Sequence, residues 1–144
     1  VIMIGNPGRG KTHLAIALGL KACTQGYNVL FKNAATLSTE LCEAKDNYHL
    51  GKLERTLAKA DLLILDDFGM ERQTEHALEQ VFNVIDARSR SGKPMIITTN
   101  LSLTELNNPK DLEHKRIYDR IKVLCAFLAH ESGVCEEMQK CLNM

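Results

Sequence analysis

The sequence predicts a doubly wound α/β domain built on a parallel sheet. Three observations carry that prediction: five short apolar runs of strand length, helical patterns between them, and a glycine-rich segment that follows the first run and opens the first helix. Strands that alternate with helices need crossover connections, which keep them parallel and put ligand-binding loops at their carboxyl ends.

The first strand is Val1 to Ile4, and Lys11 to Thr24 is the helix behind it. Tyr27 to Phe31 is the second strand, followed by helical patterns over Ala35 to Ala44 and Leu50 to Ala60. Leu62 to Leu65 is the third. The helix from Thr74 to Ser91 carries Ala77, Leu78, Val81, Phe82 and Ile85 on one face, with Glu79, Gln80, Asn83 and Asp86 elsewhere, and Gly92 and Pro94 end it. Met95 to Thr98 is the fourth strand and Ala126 to Ala129 the fifth. Between these two, Ile117, Ile121 and Leu124 form an apolar stripe at helical spacing. The loops after Ile4, Leu65 and Thr99 should therefore open onto one edge of the sheet.

Composition narrows the class of molecule. A chain of 144 residues fits one domain, and 44% apolar with 25% charged residues excludes collagen-like and disordered chains. Eighteen basic and eighteen acidic residues cancel, so the whole-molecule footprint of a dedicated duplex-DNA binder is missing. The apolar runs fall far short of the roughly 20 residues of a membrane helix, which predicts a soluble protein with no membrane partner. No signal peptide is visible and Val1 is not an initiator methionine, so the chain reads as a fragment. Five cysteines, an odd number without a C-x-x-C pair, fit reduced thiols and a cytoplasmic location. Cys125, His130, Cys135 and Cys141 lack the paired spacing of a zinc site. Val134, Met138, Cys141 and Leu142 form a short stripe that fits a docking helix.

The informative segment is Gly5-Asn6-Pro7-Gly8-Arg9-Gly10-Lys11-Thr12, which matches G-x-x-x-x-G-K-[ST] between a strand and a helix. Glycines let backbone N–H groups close around phosphate oxygens, and the helix N-terminus adds partial positive charge. Lys11 is expected at the β and γ phosphates and the Thr12 hydroxyl on Mg²⁺, which makes the ligand a nucleoside triphosphate with magnesium. The binding set is Gly5, Asn6, Pro7, Gly8, Arg9, Gly10, Lys11, Thr12 and His13. The ring of His13 is expected to pack on the first helix and is given no chemistry.

Leu62-Leu63-Ile64-Leu65-Asp66-Asp67 is an apolar strand ending in two carboxylates. Asp66 is expected to bind magnesium through water. Because neighbouring strand residues face opposite sides, Asp67 is assigned the separate task of orienting or deprotonating the attacking water. Met95-Ile96-Ile97-Thr98-Thr99-Asn100 places a neutral amide, Asn100, at the end of another strand, where it can meet the γ phosphate or the water. Arg120 stands off the apolar stripe near the end of the last helix, with Arg116 one turn before it, and could reach into a neighbour's site.

Taken in order, GNPGRGKTHLA, LLILDDFG, IITTN and RIYDRI make the chain resemble the AAA+ ATPases of the DnaC/IstB-like group, which includes bacterial replicative-helicase loaders. The resemblance runs from Val1 to about Gly133. It implies a P-loop NTPase (AAA+) three-layer sandwich with a five-stranded parallel sheet of order 5-1-4-3-2. It further implies ATP bound between subunits, Asn100 as sensor 1, and Arg120 as an arginine finger acting in trans through self-association. ATP state would then gate the loading of a replicative helicase onto single-stranded DNA, with Ala34 to Lys59 shaping the DNA-facing surface. That span mixes Lys45, Lys52, Arg55 and Lys59 with Glu40, Glu43, Asp46 and Glu54, so charge alone gives the patch little support.

The chain departs from the group in two places. It begins at the first strand, without the N-terminal helicase-binding region, and Glu131 to Glu137 stands where a basic sensor 2 residue is common. The organisation expected is thus an ATPase core over 1–133 and an atypical tail over 134–144. Asp67 is one methylene shorter than the glutamate common here, which predicts slow turnover. The nearest rival is an IstB-like transposition helper ATPase assembling on duplex DNA with a transposase. A small-molecule kinase lacks an arginine-rich lid and an acceptor motif in this sequence, and a non-hydrolysing ATP-binding module would be marked by binding without phosphate release.

Overall fold

The computed structural model describes residues 1–69, 74–124 and 127–129. Within them the chain runs β1 (Ile2–Ile4), α1 (Lys11–Thr24), β2 (Val29–Asn33), α2 (Ala34–Asp46), α3 (Leu50–Lys59), β3 (Leu62–Phe68), α4 (Glu75–Ser91), β4 (Met95–Thr99), α5 (Leu103–Asn107), α6 (Leu112–Leu124) and β5 (Phe127–Ala129). The sheet order is β2-β3-β4-β1-β5 and every pairing is parallel, which is the expected 5-1-4-3-2 seen from the other edge. Ile2 sits opposite Ile97 on one side and Phe127 on the other, so β1 is central.

Central parallel strands are covered on both faces, which is why β1, β3 and β4 are nearly continuous apolar runs. One face carries Ile2, Ile4, Leu63, Leu65 and Ile97 into a large core completed by α2, α3, α4 and α6. The other carries Met3, Ile64 and Ile96 against Ala15 of α1. The result is three layers, with the sheet in the middle.

Several boundaries differ from the sequence expectation. β2 starts at Val29 rather than Tyr27, because register with β3 pairs Val29 with Leu62 and leaves Tyr27 on the surface. It ends at Asn33, whose Oδ1 accepts the Ala35 and Thr36 N–H groups at 3.0 and 3.3 Å and so starts α2 at once. α5 was not expected as a helix, although its capping box was readable: the Ser102 side chain accepts from the Glu105 N–H, and Glu105 accepts in return from the Ser102 N–H. β3 continues to Phe68, past the expected end at Leu65. A register shift against β4 between Leu65 and Phe68 inserts an extra residue, so Phe68 rather than Asp67 joins Leu63 and Leu65 in the core.

On α4 the expected apolar face is buried, with Phe82 only partly so, but Gln80 and Asp86 are buried as well, against the reading that placed them elsewhere. Arg88 is buried too. Its guanidinium donates to Ala60 O at 2.7 Å, Pro94 O at 2.5 Å, Asp61 O at 3.3 Å and Leu57 O at 3.5 Å, tying the end of α3 to the starts of β3 and β4. Burial lowers its pKa, opposed by the charge of Asp61. Ile117 and Ile121 of the predicted stripe are buried in the core. The Leu124 side chain, His130, Glu131 to Glu137, and the stripe of Val134, Met138, Cys141 and Leu142 lie outside the described residues, as does the whole 134–144 tail. Among the described residues no helix is long and apolar enough to cross a membrane.

Replacing Arg88 with Met keeps the stem and strands the buried carbonyls. Chemical denaturation should show a loss of about 2 kcal/mol or more; an unchanged midpoint would show that the four bonds do not hold these elements together.

Candidate functional site

The loop between β1 and α1 turns twice through the left-handed region, at Gly8 (φ 79°) and Gly10 (φ 78°). A Cβ at either would meet nothing within 4 Å, so backbone conformation and not space demands glycine there. Asn6, Pro7, Gly8, Arg9 and Gly10 are exposed while Gly5 is half-buried, leaving the loop open to a ligand. Gly10 precedes α1 and supplies no side-chain cap, so the first N–H groups of the helix are left without a side-chain acceptor there. His13 is exposed, which corrects the expectation that its ring packs on the helix.

Lys11 is buried at the base of this loop. Its Nζ donates to Gly5 O at 2.6 Å, Asn6 O at 3.0 Å and Asn100 Oδ1 at 2.8 Å. Burial lowers its pKa, and the charges of Asp67 and then Asp66 oppose that shift. Both carboxylates therefore act on the same ammonium. Asp67 sits at the register shift with φ 54°, a left-handed conformation that Asp tolerates better than most residues, so regular strand alternation does not apply at this position.

Thr12 Oγ1 donates to Asp66 Oδ1 at 2.9 Å, which joins the start of α1 to the end of β3. The same carboxylate oxygen accepts the Thr98 hydroxyl at 2.6 Å, and Thr98 Oγ1 in turn accepts the Asp67 N–H at 3.0 Å. Thr98, fully buried, thus grips both acidic residues from β4, and sequence reasoning passed over it. Its signal was position: Thr98 lies two residues before Asn100, near the carboxyl end of an apolar strand where polar residues gather at the ligand edge. Thr99 Oγ1 donates to Phe68 O at 2.6 Å and accepts the Leu101 N–H at 3.1 Å, fixing the turn that follows Asn100.

The ends of β1, β3 and β4 thus meet, and Lys11, Thr12, Asp66, Asp67 and Asn100 fall in one place. Arg120 does not join them within the chain. Its Nη2 lies 2.8 Å from Asp86 Oδ1 on α4, and its side chain is 41% exposed. Arg116, one turn earlier, stacks its guanidinium 4.6 Å from the centre of the Phe82 ring.

The residues suit a magnesium-bound triphosphate. Three oxygens already satisfy the Lys11 ammonium where phosphate oxygens could replace them, and Thr12 and Asp66 present a hydroxyl and a carboxylate, the hard donors magnesium prefers. Among the described residues no cluster of three or more His, Cys, Asp or Glu could hold a metal.

Comparison with known proteins identifies the family. The family described as IstB-like ATP binding protein matches residues 1–129. The insertion sequence IS5376 putative ATP-binding protein of Geobacillus stearothermophilus is 36% identical over 105 residues, covering 73% of this chain and 41% of that protein. The replicative helicase loader DnaC of Escherichia coli (strain K12) is 27% identical over 124 residues, covering 85% of this chain and 49% of that protein. A crystal structure of the DnaC helicase loader superposes with a TM-score of 0.77 at 28% identity, over 90% of this chain and 76% of that one. The chain spans less than half the length of these two curated relatives.

Removing the Thr98 hydroxyl while keeping its shape, as in Thr98→Val, should weaken magnesium-dependent binding of an ATP analogue about tenfold and leave binding in EDTA unchanged, with Thr98→Ser close to wild type. Equal losses with and without magnesium in a calorimetric titration would contradict this role.

Proposed function

The chain belongs to the IstB-like ATP-binding protein family, and from that premise we propose that it hydrolyses ATP as a self-assembling switch acting on DNA beside a partner protein. The observation that carries the reading is the single cluster made by Lys11, Thr12, Asp66, Asp67 and Asn100 at three neighbouring strand ends.

The chemistry follows from the positions. The loop N–H groups and Lys11 hold the β and γ phosphates. Thr12 and, through water, Asp66 would hold magnesium, which would supply charge neutralisation on the phosphate oxygens. A water oxygen forms a bond to the γ phosphorus as the bond to the β–γ bridging oxygen breaks, and ADP leaves with that electron pair. Asp67 takes the proton of the water. Asn100 has its Oδ1 engaged by Lys11, so its Nδ2 is the group that faces a phosphate oxygen or the water. Arg120 completes the site from a second copy by stabilising charge on the transferred phosphoryl group.

Sequence reasoning put helicase loading first. The relatives reverse that order: the match to the insertion-sequence protein, higher in identity than that to DnaC, favours a transposition helper that assembles on duplex DNA. Loading of a replicative helicase onto single-stranded DNA is the second reading, favoured by the likeness to the DnaC structure over most of that chain. Both use the same ATP site. The segment expected to face DNA folds as α2 and α3, where Lys45 lies 4.0 Å from Glu79 of α4 and Glu40 pairs with Lys32 of β2 at 2.6 Å, so the patch stays mixed in charge.

Lys11→Ala should abolish ATP binding. Asp67→Asn should keep binding and lower phosphate release by about 100-fold or more, the scale of a lost general base; unchanged release would remove Asp67 from the chemistry. Co-sedimentation with duplex DNA that requires ATP and exceeds that with single strands supports the transposition reading, whereas capture of a replicative helicase with preference for single strands supports the loader.

A further inference from the structure

Asp86 lies where α4 meets α6 and faces two arginines. Its side chain is only 10% exposed. Arg90, one turn along α4, reaches Oδ2, and Arg120 of α6 reaches Oδ1 at 2.8 Å. A buried carboxylate needs a cation, and one arginine would suffice; here two share it, leaving the group with net positive charge.

The contact with Arg120 holds the guanidinium without using it up. Oδ1 of Asp86 accepts no aligned hydrogen bond, so the two groups meet as charges, and Arg120 keeps most of its five donors for another ligand. Arg90 competes for the same carboxylate, and the Arg120 side chain is 41% exposed even while paired. Its base is rigid. Ile117, Tyr118 and Ile121 of α6 are buried in the core, and Arg116 lies against Phe82 of α4 one turn earlier.

We propose that Asp86 is a positioning residue for Arg120, fixing its guanidinium at the α4–α6 edge with donors turned outward to meet the triphosphate held by a second copy of this chain. The proposal rests on the reading of Arg120 as a residue that acts in trans. An arginine on a long flexible stem would otherwise have to be ordered at each encounter, and the carboxylate supplies that order beforehand.

The test uses the full chain with ATP and magnesium. Asp86→Asn should bind ATP as wild type does and lower kcat about tenfold with KM unchanged, the pattern of an interaction lost only in the transition state. Asp86→Glu, which keeps the charge but moves it by a methylene, should fall between and serves if the Asn variant does not fold. Mixing locates the defect. Asp86→Asn protein mixed with Lys11→Ala protein should regain activity, because Lys11→Ala subunits donate a sound Arg120 to sound nucleotide sites. Mixed with Arg120→Ala protein it should not.

Recovery with Arg120→Ala would place the Asp86 defect in its own nucleotide site and overturn the proposal. So would wild-type turnover of both Asp86 variants beside an inactive Arg120→Ala. A Lys11→Ala and Arg120→Ala mixture that stays inactive would overturn the trans reading itself, a failure distinct from the other two.

Discussion

A buried ammonium that must be surrounded by oxygen is the constraint on which the rest of the site depends. Lys11 has lost much of its water, and its charge is kept by Gly5 O, Asn6 O and Asn100 Oδ1 together with the nearby Asp67 and Asp66. These groups come from β1 and its loop, from β3 and from β4. Only a sheet in which β1, β4 and β3 are neighbours brings their carboxyl ends together, and the observed order does so. The same oxygens that satisfy Lys11 can yield to phosphate without leaving it unpaired, so the fold holds a cation ready for a polyanion.

A second constraint acts on the acids. Two adjacent residues of a regular strand face opposite sides, but here the backbone between the acids is irregular, and both charges lie near enough to Lys11 to oppose the lowering of its pKa. The extra residue in β3 and the left-handed Asp67 set the backbone at this pair, and Thr98 holds it by donating to one acid and accepting from the backbone of the next. Strain of this kind persists where the surroundings over-determine it.

The fold was legible because its signals are local: strand-length apolar runs, the loop motif, and helical stripes such as Ile117 and Ile121. The sheet order came from the family resemblance, since strand runs in a sequence do not state their neighbours. The site was legible where a residue type is tied to a motif, as for Lys11, Thr12 and Asp66. It was illegible where function depends on register. The bulge at Asp67 arises from pairing between β3 and β4, and the role of Thr98 needs a partner 31 or 32 residues away. Burial of Asp86 likewise depends on what α4 packs against, whereas Arg88, seven residues after Val81, falls on the apolar face of the helix and was hidden by its charge. The two arginines of α6 could be read as a pair one turn apart, but not the Phe82 ring or the carboxylate that hold them.

The most direct measurement is a crystal structure of the chain with a non-hydrolysable ATP analogue and magnesium. The account predicts Lys11 Nζ on β and γ phosphate oxygens, the ion on Thr12 Oγ1 with Asp66 one water away, and Asn100 within hydrogen-bond reach of the γ phosphate or the water before it. A triphosphate bound elsewhere, or at this loop with Asp66 and Asn100 turned to other regions, would contradict it.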